Sequence, residues 1–248
     1  MRKYTTKIPI QQEDIRAIIE AFQDGDFNYW ENFKEHPTTT HNGRGAAIWN
    51  EIFTELEKKF TKEGFQVSKF NRGFWQVLFI YEEETKYLYT FMRYKNFVSL
   101  QNKSPQNRLM HYCNLLSKVN GKLIGTYQIE NEQLSFLPNV FSDNTVDAEM
   151  QEILNVMLGK IHGEVERYAI VLVKQEKGKV QDIECKIPVE GLESIYTESW
   201  KDYITIQYED ESYSSEGIAA EETEILLFNK EDYNLRVVQK KKRRQDKK

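Results

Sequence analysis

The chain has 248 residues and is 40% hydrophobic, with 14 Phe, 14 Tyr and 4 Trp, which is ample for a packed core and excludes a globally disordered protein. Its longest apolar runs are far shorter than the roughly 20 residues that a transmembrane helix needs. The formal net charge of -5 is unevenly spread, because residues 190–224 hold eleven acids against Lys201 alone, whereas residues 240–248 hold seven basic residues against Asp246.

Targeting and cysteine features both indicate the cytoplasm. The opening residues, MRKYTTKIPIQQED, contain no apolar segment of the kind that a secretory signal needs. Cys113 and Cys185 lie far apart and form neither a CxxC nor a Cys–His metal spacing. We therefore expect free, buried thiols in a reducing compartment, a cytoplasmic protein and no membrane association.

The first half of the chain predicts two helices followed by three strands. Apolar residues at helical spacing between Ile10 and Phe22 predict a helix that is ended by Asp24-Gly25-Asp26. A loop rich in Thr, Asn and Gly then leads into a strongly amphipathic helix over 48–60. The expected strands are 67–70, 74–81 and 87–94. Their aromatic residues and short turns favour an antiparallel sheet.

The second half repeats this mixture of helices and strands. Ser104-Pro105 is a favourable helix start, and Asn120-Gly121 a favourable end. Another amphipathic helix is predicted over 147–161. Strands or hairpins are expected at 122–136, 165–175, 179–187, 202–208, 224–228 and 233–238. Helices and antiparallel strands in blocks predict an α+β protein whose antiparallel sheets pack against amphipathic helices.

The turn-rich stretch 138–145 is the best candidate for a boundary. We expect a helix-plus-antiparallel-sheet region over 1–138 and a second one over 139–239, either as two units or as one continuous domain. The basic tail over 240–248 is predicted to be disordered.

Residues 36–50, HPTTTHNGRGAAIWN, raise the question of a metal or anion site. His36 and His41 lack the two further ligands that a zinc site needs, so no metal is expected. An anion fits better, because a helix N-terminus offers free N–H groups, the two glycines allow close approach, and Arg44 adds a bidentate donor. The stretch lacks the GxxxxGK[ST] pattern of phosphate loops, so a plain turn into the helix is the alternative.

Glu184 and Lys186 have the ExK spacing of some metal-dependent nucleases, in which a carboxylate holds magnesium and a lysine polarises the attacking water. That chemistry also requires an acid on the preceding strand, and the strand over 165–175 offers glutamates only at its edges. Alternation of inward and outward residues along one strand explains the pair more simply.

Other catalytic patterns are absent from the sequence. There is no GxSxG motif. His111 and His162 lie on predicted helices, where partly exposed partners are commoner than general bases. Cys113 lies on a predicted buried stripe and is a poor nucleophile there. We expect no catalytic residue and no cofactor, and the protein leans away from being an enzyme.

The basic tail is a candidate nucleic-acid contact through counterion release. Its candidate residues are Lys240, Lys241, Lys242, Arg243 and Arg244. The acidity of the rest of the chain argues against a basic DNA-binding face, and a solubilising end is the alternative. The acidic stretch 190–224 could imitate a nucleic-acid backbone toward a basic partner, although a solvated face is the commoner outcome.

The aromatic strands between residues 72 and 97 are the densest feature of the sequence. Both faces look apolar, which predicts a sheet covered by helices on both sides. Arg72, Trp75 and Arg93 flank these strands and, with Arg44, are the candidate binding residues. A structure in which Arg44 points into a pocket shared with Arg72 or Arg93 would favour a ligand, whereas pairing of Arg44 with a nearby acid would favour a purely structural loop.

Three stretches, RGAAIWNEIFTELEKKF, NRGFWQVLFIYEEETKYLYTFMR and HYCNLL, resemble a family of uncharacterised proteins of Gram-positive bacteria and phages, linked to mobile elements. The resemblance covers about residues 42–200. It implies no chemistry, because the family carries a domain of unknown function. It does imply a bacterial cytoplasm and a context of phage, anti-phage defence or toxin–antitoxin biology.

The missing catalytic patterns, the segregated charge and the resemblance together lead to a functional hypothesis. We expect a cytoplasmic, non-enzymatic protein that binds a macromolecular partner, most simply a protein, as an inhibitor, antitoxin-like factor or accessory subunit in phage–host conflict. The alternatives are a nucleic-acid-binding regulator that uses the basic tail and a metal-dependent nuclease around Glu184 and Lys186. The sequence leaves the oligomeric state open.

Overall fold

A computed structural model describes residues 8–37, 42–72, 75–104, 108–123, 144–176 and 178–204. The helices are α1 (Gln12–Glu35), α2 (Arg44–Phe60), α3 (Tyr94–Gln101), α4 (Tyr112–Ser117) and α5 (Asn144–Leu158). The strands are β1 (Phe65–Arg72), β2 (Trp75–Glu82), β3 (Tyr87–Arg93), β4 (Arg167–Glu176), β5 (Lys179–Pro188) and β6 (Ser194–Ser199). Most of the predicted hairpin over 122–136, the strands at 224–228 and 233–238 and the basic tail lie outside the described residues.

The six strands form one mixed sheet in the order β1-β2-β3-β4-β5-β6. Neighbouring strands are antiparallel except β3 and β4, which run parallel with Arg93 opposite Val173. The long connection that includes α3 to α5 returns the chain to the starting end of the sheet, as a parallel pair requires. The α+β class is confirmed. The parallel pair was not predicted, because a strand pattern does not show which distant strands become neighbours.

Strands from both predicted regions belong to this one sheet. The proposed boundary between residues 138 and 139 falls outside the described residues, so the division of the chain into two regions stays a prediction.

Each face of the sheet carries its own apolar cluster. On one face Ile80, Phe91 and Val171 pack with residues of α1 and α2. On the other face Phe79 and Ile170 pack in a second cluster to which α3, α4 and α5 contribute. Successive side chains of a strand point to opposite faces, so β2 is buried on both sides. The expected sheet with two apolar faces is therefore confirmed.

Helix α1 is longer than predicted, and the reason lies at Gly25. The sequence pattern ends this helix at Asp24-Gly25-Asp26, but α1 continues to Glu35. A Cβ added at Gly25 would lie 2.6 Å from the backbone N and Cα of Ile52 in α2. The glycine therefore allows two helices to approach closely and does not end α1. The ten further residues that it leaves in the helix carry most of the candidate site.

The predicted helix from Ser104 to Gly121 is interrupted in the described residues. The Arg108 N–H donates to the Ser104 carbonyl oxygen and residues 108–109 are helical, but residues 110–111 are not, and the chain continues as α4 and the 3-10 turn Lys118–Leu123. Helix α3, which directly follows β3, was not predicted. His111, predicted to be partly exposed on a helix, is buried and lies at the N-cap of α4, where its Nδ1 accepts a hydrogen bond from the Cys113 N–H at 3.2 Å. A capping histidine interrupts the apolar stripe without changing its spacing, so the stripe alone does not reveal it.

Strand β6 was not predicted. Within the expected strand over 202–208, residues 202 and 203 belong to the 3-10 turn Lys201–Tyr203, and most of the rest lies outside the described residues. Among the described residues, no helix is long and apolar enough to cross a membrane.

Candidate functional site

The candidate site lies at the end of the sheet where β3 ends and β4 turns into β5. Arg93 is the last residue of β3, and Arg44 is the first residue of α2. Asp26 belongs to the part of α1 that continues beyond Gly25, and its carboxylate lies against Gly178 in the β4–β5 turn, where a Cβ would collide with it. We call Asp26, Arg44 and Arg93 the arginine–aspartate cluster.

Both arginines of this cluster lie over tryptophan rings. The guanidinium carbon of Arg44 lies 5.6 Å from the ring centroid of Trp30 in α1. The guanidinium carbon of Arg93 lies 5.7 Å from the ring centroid of Trp49 in α2. A Cβ added at Gly45 would lie 3.6 Å from Arg93 Nη1, so this guanidinium lies next to the first turn of α2. The ring quadrupole attracts a cation placed over the face of a tryptophan, which helps to hold each guanidinium in position.

Partial burial of Asp26 and Arg93 governs the electrostatics of the cluster. Burial raises the pKa of Asp26, although the positive charges of Arg44 and Arg93 and the indole N–H of Trp30 all favour its ionised form. Burial lowers the pKa of Arg93, Asp26 opposes that change, and the like charge of Arg44 reinforces it. Placing two guanidinium groups near each other in a partly desolvated place costs free energy unless an anion compensates both charges.

One carboxylate stands against these two positive charges, and it is not in contact with either. Among the described residues, neither arginine has an ion-pair partner and neither donates a side-chain hydrogen bond. A guanidinium carries five N–H donors and no acceptor. With Asp26 ionised, the cluster carries one net positive charge and a set of donors that the described residues do not satisfy.

The N-terminus of α2 adds to this positive potential. Its N-cap residue, Gly43, has φ of 85° and makes no side-chain cap hydrogen bond, and the first turn holds no acidic residue. Free N–H groups and the helix dipole favour an anion at such an end, yet the first residue is the cation Arg44. The start of α2 is therefore arranged unfavourably for an isolated helix and favourably for an external anion.

The second half of α1 presents an aromatic surface beside Arg44. Phe27 is 51% exposed, and Tyr29, Trp30 and Phe33 are partly exposed. The ring centroids of Tyr29 and Trp30 are 5.3 Å apart, and those of Trp30 and Phe33 are 5.8 Å apart. We call these four residues and Arg44 the aromatic–arginine surface. In α1 the fully buried residues end at Gly25, so the core leaves this surface largely uncovered.

The four predicted binding residues do not form one group. Arg44 and Arg93 both belong to the arginine–aspartate cluster. Trp75 is partly buried at the start of β2 and packs against both apolar clusters, which is a structural position. Arg72 pairs with Trp75 in the backbone register of β1 and β2, and its side chain is outside the described residues.

The histidines of the opening loop are not brought together by the described residues. His36 follows the last residue of α1 and is exposed, and His41 is outside the described residues. His162, predicted on a helix, follows α5 and is exposed, with its backbone N–H donating to Gln66 Oε1. Within the described ranges, no three His, Cys, Asp or Glu side chains are grouped so as to hold a metal ion.

Glu184 and Lys186 belong to a different charged group on the opposite face of the sheet. Lys186 Nζ lies 3.5 Å from Glu184 Oε2, and Lys174 Nζ lies 2.8 Å from Asp182 Oδ2. Both lysines also approach the ring of Tyr94, at 5.9 Å and 4.1 Å from its centroid. We call the two acids and two lysines the lysine–carboxylate cluster. On β4, Leu172 stands opposite Glu184 and Lys174 opposite Asp182, where the nuclease hypothesis requires an acid.

Asp26, Tyr29, Trp30 and Phe33 were missed at the sequence level. The cause was the assumption that Gly25 ends the helix. A usable signal was present, because Phe22, Asp26, Tyr29 or Trp30, and Phe33 continue the same spacing of three and four residues.

A family model described as "Family of unknown function (DUF5986)" matches residues 7–248 of the chain. No curated protein matches the chain, and no solved structure matches it.

Proposed function

The chain therefore belongs to this family of unknown function, and from the site itself we propose that the protein binds a protein partner through the aromatic–arginine surface. Membership confirms the expectation of an uncharacterised family, over more of the chain than the resemblance covered. The proposal is supported by one observation above the others. Four aromatic residues follow one another along a helix at the point where the core ceases to bury it.

The composition of this surface is that of an energetic centre in a protein interface. Trp, Tyr and Arg are the residues whose loss most often costs binding energy, and they act best when clustered and shielded from water by their neighbours. The rings of Tyr29, Trp30 and Phe33 contact one another, and Trp30 also supports Arg44. A partner would therefore meet a surface whose side chains are already ordered, so less conformational entropy is lost on binding.

The other two hypotheses have less support. The tail from Lys240 to Arg244 lies outside the described residues, so the nucleic-acid alternative rests on sequence alone. In the lysine–carboxylate cluster, each acid already has a lysine partner and the facing strand offers no acid, which does not favour the nuclease alternative. A role in phage–host conflict stays a proposal that rests on the family resemblance.

The proposal is tested by affinity capture with the full chain from a lysate of the native host, repeated at several salt concentrations. The variants are Phe27→Ala and Trp30→Ala. The matched control is Val156→Ala, because Val156 is 41% exposed on α5 and lies away from the surface. Circular dichroism checks that each variant is folded.

We expect the wild type and Val156→Ala to retain the same protein, and both α1 variants to lose at least about tenfold of it, since hot-spot truncations cost 2 kcal/mol or more. Retention that is equal in all four proteins, or retention of none, would contradict the proposal.

A further inference from the structure

The arginine–aspartate cluster carries an excess of positive charge that binding through the aromatic surface does not explain. Arg44 and Arg93 come from two different elements, but Arg93 Nη1 lies next to Gly45, the neighbour of Arg44 in α2, so their like charges repel. The described residues supply only Asp26 in return, and it forms no ion pair with either arginine. A fold that needed these side chains only for packing would gain stability from apolar residues of similar size.

The donor sets of the two arginines suit a planar oxyanion. Each guanidinium lies over a tryptophan ring, and neither donates a side-chain hydrogen bond to a described residue. A guanidinium edge matches the two oxygens of a carboxylate, and two such edges can bind one carboxylate together. The N-cap residue Gly43 provides no side-chain cap, and the N–H groups at the start of α2 next to Arg44 add to the same positive field.

The charge of the cluster selects among anions. With Asp26 ionised, the two arginines leave one net positive charge, which a single carboxylate neutralises. A phosphate monoester carries about -1.5 to -2 at pH 7 and would leave the site negative, with Asp26 repelling it. The balance therefore favours a monoanion.

We propose that Arg44 and Arg93 together bind the carboxylate of an Asp or Glu side chain of the protein partner, with Asp26 neutralising the remaining positive charge. The inference rests on the proposed function, because the carboxylate comes from the protein that docks on the aromatic–arginine surface. The partner's recognition segment is thus an acidic side chain flanked by apolar ones, which reach Phe27 and Trp30. Arg44 belongs to both parts and joins them.

The site is tested without the partner by titrating the full-length protein with sodium acetate, sodium phosphate and sodium chloride at constant ionic strength. The observables are the arginine Nε–H and tryptophan indole signals in NMR spectra. The variants are Arg93→Lys, which keeps the charge but removes the planar fork, and Asp26→Asn. The control is Arg16→Lys, because Arg16 is an exposed arginine on the buried half of α1.

We expect acetate to shift the signals of Arg44, Arg93, Trp30 and Trp49 saturably, and Arg93→Lys to weaken acetate binding about tenfold while Arg16→Lys leaves it unchanged. Asp26→Asn should tighten acetate binding and admit phosphate. Equal shifts from acetate and chloride would overturn the inference, as would tighter binding of phosphate than of acetate by the wild type.

The two proposals can fail separately. If capture of the partner depends on Phe27 and Trp30 but acetate does not bind, the proposed function stands and the carboxylate site is wrong. If acetate binds and no protein is retained, the partner origin of the carboxylate is wrong.

Discussion

The two charged clusters at this end of the sheet differ in how their charges are compensated. Arg93 and Tyr94 are consecutive residues, and each belongs to one cluster, on opposite faces of the sheet. On the Tyr94 face every lysine of the lysine–carboxylate cluster has a carboxylate within 3.5 Å, so its charges are satisfied internally. On the Arg93 face, the described residues place one carboxylate near two arginines, and it forms an ion pair with neither.

This difference separates a structural charge pattern from a binding site. Charges on neighbouring antiparallel strands can pair across the ladder, as Lys174 and Asp182 do, and such pairs stabilise the sheet modestly. Charges supplied by helices and a strand end have no ladder that assigns partners to them. Where such charges lie together with an excess of positive charge, an external anion can bind to them.

The largest expected effect comes from breaking the close contact between α1 and α2 at Gly25, which positions the arginine–aspartate cluster. Gly25→Val places side-chain atoms against the backbone of Ile52, and neither helix can move away without exposing its buried face. We expect the free energy of unfolding to fall by about 3 kcal/mol or more. Urea unfolding followed by circular dichroism measures it.

The matched control is Gly121→Ala, because a Cβ at Gly121 meets nothing within 4 Å. We expect that variant to stay within about 0.5 kcal/mol of the wild type. A Gly25→Val protein as stable as this control would show that α1 and α2 do not depend on their close approach.

Gly25 also shows what the sequence could and could not predict. The amphipathic patterns of α2 and α5 and the strands β1 to β5 were found, because burial of one or two faces leaves a regular spacing in the sequence. The role of Gly25 was not found, since a glycine that ends a helix and one that admits a neighbouring helix look alike until the neighbour is known. The meeting of Arg44 with Arg93 depends on the same tertiary contact, so the sequence could nominate each arginine but not their partnership.

A smaller effect tests whether ionised Asp26 lowers the free energy of unfolding. Burial raises the pKa of Asp26 above its ordinary value of 3.8, so ionisation of this carboxyl group lowers stability. The contribution is present below pH 3.8 and is lost as the pH rises through the raised pKa. Because Asn does not titrate, the Asp26→Asn variant has no such pH-dependent loss at this position. We therefore expect the stability of the variant relative to the wild type to increase between pH 3 and pH 7, measured by urea unfolding at both pH values. A relative stability that falls over this range would mean that the arginines stabilise the carboxylate more than burial destabilises it.

The smallest expected effect concerns the lysine–carboxylate cluster, whose charges are paired. Lys174 is 44% exposed at its side chain, and the hydrogen bond with Asp182 is the main cause that raises the pKa of Lys174. An exposed pair of this kind contributes about 0.2–1 kcal/mol and is screened by salt. Lys174→Gln should therefore lower the free energy of unfolding by less than about 1 kcal/mol in dilute buffer and by almost nothing near 1 M sodium chloride.

Lys95→Gln is the control, because Lys95 is exposed on the neighbouring helix α3 and has no ion pair among the described residues. A loss above about 2 kcal/mol, or one that salt does not change, would mean that the lysine–carboxylate cluster is more than a surface pair and that its charges are not satisfied in the way the distances indicate.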